Sequence, residues 1–201
     1  MLGLADIIKF LELLQAFRKI ERVVSMPDDP RPENDVEHSY QLAMLAWYIV
    51  DREKLKLDIG ALIKYALVHD LVEAYAGDTY AYTKDKALRD SKDQREGEAF
   101  EKIKAKFGEF EELIEIIHKY ETHADAESKF IYALDKVAPI FNIYMAGGRQ
   151  WHESGITLAE LLDYKTSKVA VSPEVTRIYE ELVTELRRRE GELFPASSKN
   201  S

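Results

Sequence analysis

The sequence predicts an all-α, single-domain helical bundle. Apolar residues recur at i, i+3, i+4 spacing in one segment after another, and N-capping signatures open several of those segments. No stretch shows the period-two alternation of a half-buried strand. At 201 residues, with 46% hydrophobic and 32% charged side chains, the chain is long enough for one substantial core and ordinary for a globular protein. No linker divides it, so one domain is expected over 1–194, followed by a polar, disordered tail at 195–201.

Residues 2–20 read as an amphipathic helix through Leu4, Ile7, Ile8, Leu11, Leu14 and Phe17. The stretch Ser25–Pro32 holds three prolines and is read as a loop. Asn34 with Glu37 three residues on is a capping box, which gives Glu37 a structural role and opens a helix with His38, Leu42, Leu45 and Ile49 on one stripe. Asp58 caps the next helix, expected over 59–75, and Gly77-Asp78-Thr79 turns the chain out of it. Residues 83–107 follow, charged in their first half and apolar from Ala99 onward; Gly108 ends them, and 109–121 form another helix. Residues 125–145 are apolar almost all round, the pattern of a central helix. Gly147-Gly148 closes it, Thr157 with Glu160 caps a short helix to about Tyr164, and Ser172-Pro173 starts the last, with Arg187, Arg188 and Arg189 in its final turns.

Composition limits the chemistry. A net charge of −9 leaves no basic footprint for a nucleic-acid polymer. There is no cysteine, so disulfides and thiolate metal sites are excluded, and any metal must be held by His and carboxylate ligands. The first segment carries Asp6, Lys9 and Glu12 within its apolar pattern, unlike a signal peptide, and no apolar run approaches the ~20 residues of a membrane span. A cytoplasmic location and no membrane partner are expected.

The unusual stretch is Leu67-Val68-His69-Asp70-Leu71-Val72-Glu73: three ionisable groups in an apolar helix, costly unless something pairs them. His38 at the first turn of a buried face and Asp135 inside the central helix are similarly placed. Together His38, His69, Asp70 and Asp135 form a mixed nitrogen and oxygen set suited to one divalent ion, Mn²⁺, Co²⁺, Ni²⁺ or Fe²⁺, with Mg²⁺ and Zn²⁺ also compatible. Adjacent helical residues point about 100° apart, so His69 and Asp70 share an ion only if it lies in the cleft between them. Glu73, at i+4 from His69 and i+3 from Asp70, shares their face and is placed either for proton transfer or as a partner of the ligands. Each residue has a plain alternative: Asp135 with Lys136 as an ion pair, Asp78 as the Asx-turn of Gly77-Asp78-Thr79, and Arg22 and Arg31 as solvated arginines, although both flank the proline-rich loop and could grip phosphate. His118 and His123 are read as surface or structural residues.

The joint pattern resembles the HD-domain metal-dependent phosphohydrolases. An upstream His lies in Glu37-His38-Ser39, His69-Asp70 follows about thirty residues later, and Asp135 lies within Leu134-Asp135-Lys136. Arg31-Pro-Glu33-Asn34-Asp-Val-Glu37-His38-Ser39 and His69-Asp70-Leu-Val-Glu73-Ala-Tyr-Ala-Gly77-Asp78 are similar to the bacterial 5′-deoxynucleotidases and their HD relatives, from roughly residue 15 to 150. The resemblance implies metal ligation by His38, His69, Asp70 and Asp135, and makes Glu73 the catalytic acid. It implies phosphate orientation by Arg22, and sugar contact by Asp78, with Arg31 and Thr79 among the substrate-binding residues. It also implies a homodimer, for which the Tyr-rich late helices offer surface. Two positions depart from the family pattern: Val23 follows Arg22 where Trp is common, and Thr79-Tyr80-Ala81 replaces a proline-containing turn.

The expected activity is removal of the 5′-phosphate from nucleoside monophosphates, foremost 2′-deoxyribonucleotides. The competing expectations are the same metal centre acting on a phosphodiester, a nucleoside triphosphate or an alarmone-like nucleotide, and a non-enzymatic helical module with a structural metal.

Overall fold

A computed structural model describes residues 1–25, 29 and 31–196. Helix α8 (Ala126–Met145) is the axis of the bundle. Its Phe130, Ile131, Leu134, Val137, Ala138 and Ile140 are all buried, and α2 (Asp35–Glu53), α3 (Ile59–Val68), α7 (Glu111–Glu121), α10 (Leu158–Val169) and α11 (Pro173–Arg188) pack around it. A second apolar cluster joins α1 (Leu4–Phe17), α4 (Glu73–Ala76), α6 (Lys92–Phe107) and α7 through Leu13, Phe17, Leu71, Ile103 and Ile117. Short helices α5 (Lys86–Asp90) and α9 (Arg149–Ser154) lie between longer ones, and α12 (Glu190–Leu193) follows α11. The expected all-α bundle is the observed one.

The caps read from sequence form as expected. Asn34 accepts from the amides of Val36 and Glu37 while Glu37 returns to the Asn34 amide, and Asp58, Thr157 and Ser172 cap α3, α10 and α11. Four features differ. Residues 21–25 and 32–34 pair as a small antiparallel sheet, β1 and β2, which holds Arg22 against the bundle; three-residue and five-residue strands are too short to show an alternation. The helix expected over 59–75 stops at Val68, and 69–72 continue as turns with i→i−3 hydrogen bonds such as Glu73 to Asp70. The 83–107 segment is interrupted at Ser91. The apolar stripe of α1 is turned outward: Leu13 and Phe17 are buried, whereas Leu4, Ile7, Ile8 and Leu11 are exposed.

Of the expected loop, residues 26–28 and 30 lie outside the described residues, as do residues 197–201 of the expected tail. Just before that tail the chain is anchored, with Phe194 buried and stacked on Trp151 at 4.3 Å.

Candidate metal centre

The break after α3 shapes the site. Where the helix ends, the ring Nδ1 of His69 lies 2.9 Å from the Ala66 carbonyl oxygen. A carbonyl only accepts, so Nδ1 carries a hydrogen and Nε2 is left to face the other side chains of the site. That nitrogen faces Asp70 Oδ2 at 3.0 Å and Asp135 Oδ1 at 3.7 Å, yet it has no hydrogen-bond partner. A ring nitrogen this near two carboxylate oxygens needs a proton or a cation between them. His38 Nε2 approaches the same Asp135 oxygen at 2.8 Å, and its Nδ1 lies 3.4 Å from buried Glu33. One donor atom from each of His38, His69, Asp70 and Asp135 lies within 4.8 Å of the others. Two imidazoles and two carboxylates, buried and converging with unmatched lone pairs, fit a divalent ion of borderline hardness.

Arg22 enters from β1 and is ringed by acids: Asp70 at 2.5 Å, Asp35 at 3.2 Å, and Glu33 and Asp135 each at 3.9 Å. Their charges hold the guanidinium ionised against the penalty of burial. Burial pushes the Asp70 carboxyl up, but His69 and Arg22 outweigh it and hold it well below the usual carboxylate range. Asp135 is held low in the same way, by Lys136 at 2.5 Å and by both imidazoles. Glu73 and Asp35 shift the opposite way. Burial, followed by repulsion from Asp70, Asp78 and Asp35, raises Glu73 to about 11, and burial with Asp70 raises Asp35 to about 7. Glu73 is 3% exposed and its Oε2 has no partner.

A cleft of about 110 Å³ opens from Arg22, Asp70, Glu73 and Asp135 past Asp78 and Thr79 to an aromatic end at Tyr80, Tyr82 and Tyr164. Val23 lines it beside Gln150, whose side-chain amide donates to the Val23 carbonyl. Thr79 is tied by Arg95, which donates to its hydroxyl at 2.6 Å. Arg31 is not part of the cleft: it is exposed and forks onto Glu37, with Asp29 beside it. His118 is exposed, and His123 packs on Tyr132 at 4.1 Å, as surface and structural residues should. Sequence reasoning passed over Glu33 and Asp35, because nothing in a single sequence marks a carboxylate beside a cap as buried. It also passed over Lys165, for which a signal existed: Leu158, Leu161 and Val169 form the apolar stripe of α10, and Lys165 occupies a position on it.

An all-α bundle that brings two histidines and two aspartates together at the root of a cleft belongs to the class of metal-dependent phosphohydrolases. The chain is a member of the HD domain family, whose description matches residues 14–176. Human 5′-deoxynucleotidase HDDC2 (Homo sapiens) is 30% identical over 186 residues, covering 91% of this chain and 87% of that protein. The mouse protein of the same name (Mus musculus) is 28% identical over 90% of this chain and 88% of its own length. Among solved structures, a predicted metal-dependent phosphohydrolase from Magnetospirillum magnetotacticum MS-1 superposes with a TM-score of 0.80 at 26% identity, covering 96% of both chains.

Proposed function

We propose that this chain removes the 5′-phosphate from nucleoside monophosphates, 2′-deoxyribonucleotides foremost, using one divalent ion held by His38, His69, Asp70 and Asp135. The observation that carries this reading is the convergence of one donor atom each from His38, His69, Asp70 and Asp135, all within 4.8 Å of one another. It is supported by the named 5′-deoxynucleotidases that share most of the chain. When bound, such an ion supplies Lewis-acid charge to a phosphate oxygen and acidifies water.

The chain's own residues divide the rest of the work. Once Asp70 and Asp135 are engaged, the fork of Arg22 is free to orient the phosphate and to offset charge that grows in the transition state. Hydrolysis moves one proton from the attacking water to the departing 5′-oxygen. Glu73 Oε2, unpartnered and beside Asp70, is the carboxyl oxygen that holds and passes it. Asp78, in the cleft wall, accepts from a sugar hydroxyl, and Tyr80, Tyr82 and Tyr164 offer faces to the base. Val23, smaller than the Trp common in the family, leaves more room beside the sugar. Arg31, committed to Glu37, serves the N-terminus of α2 rather than the substrate.

The reading includes a cytoplasmic setting, where nucleoside monophosphates are made and consumed, and a homodimer. The late helices present few exposed large apolar side chains among the described residues. Exposed apolar side chains concentrate instead on α1 (Leu4, Ile7, Ile8, Leu11) and on α2 (Tyr40, Met44, Trp47, Tyr48).

Metal-free protein given each divalent ion in turn, with a panel of nucleoside 5′-monophosphates, 3′-monophosphates, cyclic esters and triphosphates, tests the proposal by release of free phosphate. The expected result is phosphate from 5′-monophosphates, lost in His69→Ala. Release of pyrophosphate instead, no hydrolysis with any ion, or undiminished activity in His69→Ala would overturn it.

A further inference from the structure

Four cations line the cleft: Arg22, Lys92, Lys136 and Lys165. Three of them are committed. Arg22 is ringed by carboxylates, Lys92 pairs with Glu96 at 3.1 Å, and Lys136 with Asp135 at 2.5 Å. Lys165 is only 7% exposed, and among the described residues its ammonium has neither a carboxylate nor a hydrogen-bond acceptor. Its ammonium lies over the Tyr164 ring, 5.6 Å from the ring centre. A buried cation without a counter-charge costs stability that a methionine there would not, so a position on the apolar stripe of α10 has no structural reason to carry it.

Lys165 lines the same cleft as Arg22, Asp135 and Lys136. The phosphate is the anionic part of a nucleoside monophosphate, so an unpaired ammonium in this cleft selects for it. Burial, and then Lys136, bring Lys165 down to about 7, so an arriving dianion would secure its proton.

We propose that Lys165 is a further substrate-binding residue, donating to a non-bridging oxygen of the phosphate group opposite Arg22. The inference rests on the phosphohydrolase reading, and its chemistry is that of a phosphate monoester dianion or of the inorganic phosphate released from it. Among the described residues Lys165 adds to the cleft a positive charge that no carboxylate holds.

The test compares wild type, Lys165→Met and Lys165→Arg as metal-loaded protein. Binding of inorganic phosphate is measured by calorimetry, inhibition by product nucleoside by kinetics, and melting temperature by circular dichroism. Lys165→Met is expected to melt at or above wild type, to bind phosphate at least tenfold more weakly, and to raise KM for the nucleotide more than it lowers kcat. Nucleoside inhibition should stay unchanged, and Lys165→Arg should recover part of the phosphate affinity. Weaker nucleoside inhibition with unaltered phosphate binding would assign Lys165 to the sugar or base and overturn the proposal. Unaltered phosphate binding with a lowered melting temperature would overturn it in favour of a structural role. Should Lys165→Met fail to fold, Lys165→Gln carries the same comparison. Wild type that binds phosphate through Lys165 but hydrolyses no nucleotide would refute the proposed activity alone; an active wild type with unchanged phosphate binding in Lys165→Met would refute this inference alone.

Discussion

Replacing Glu73 by Gln separates the cost of this carboxyl from its use. Glu73 is 3% exposed, and burial with three neighbouring acids raises it from an ordinary 4.5 to about 11. In the metal-free folded protein it is therefore protonated at neutral pH, whereas in the unfolded chain it is ionised. Below pH 4.5 both states carry the proton and the group costs nothing through ionisation. Above that, the unfolded state gains by releasing it, and stability is lost progressively as pH rises towards the folded value. At pH 7 the loss is about 3 kcal/mol, set by the 2.5 or so units above the unfolded value. A glutamine of the same shape has no proton to release. Metal-free Glu73→Gln should therefore be more stable than wild type at pH 7 by roughly 3 kcal/mol, or about 6–12 °C in melting temperature for a chain of this size. The gain should shrink to nothing near pH 4.5. Denaturant unfolding of both proteins from pH 4.5 to 8 reads this directly. The same substitution should lower the phosphatase activity of metal-loaded protein by about 10²–10⁴-fold, the range for a lost proton-transfer group. A variant less stable at pH 7, or with the wild-type pH slope, would refute the account of burial. Activity within a few-fold of wild type would refute the role in proton transfer.

Two further outcomes follow from the same geometry. Because Glu73 and Asp35 hold protons in the metal-free protein, binding of a divalent ion should release at least one of them, and affinity should rise with pH; titration heats identical in buffers of different protonation enthalpy would contradict this. Trp47 is 48% exposed and nine residues from His38, on the opposite face of α2, so Trp47→Glu should convert dimer to monomer without disturbing the metal centre. Light scattering checks the mass, and a wild type that is already monomeric would remove the dimer from the reading.

The parts of the fold that local chemistry specifies were legible in the chain. Asn34 with Glu37 and Thr157 with Glu160 announced two helices, because a cap needs only residues three apart. Asp135 was conspicuous because α8 is apolar on every side, so an acid there is out of place wherever its partners lie. The break at His69 was not legible, since no glycine or proline marks it; the turn is stabilised by i→i−3 hydrogen bonds and by the His69 ring on the Ala66 carbonyl. Nor was the outward turn of the α1 stripe, because periodicity shows that a helix has an apolar face but not what that face meets.

The sequence by itself determined an all-α bundle and the identity of the four converging side chains, because residue type, spacing and capping are short-range properties. Tertiary structure decided how those four meet. The acids that saturate Arg22, and the burial of Glu33, Asp35 and Lys165, depend on segments far apart in the chain. The physical reason is that solvation and charge pairing are set by which surfaces are brought into contact, and a residue carries no local record of its neighbours across a cleft.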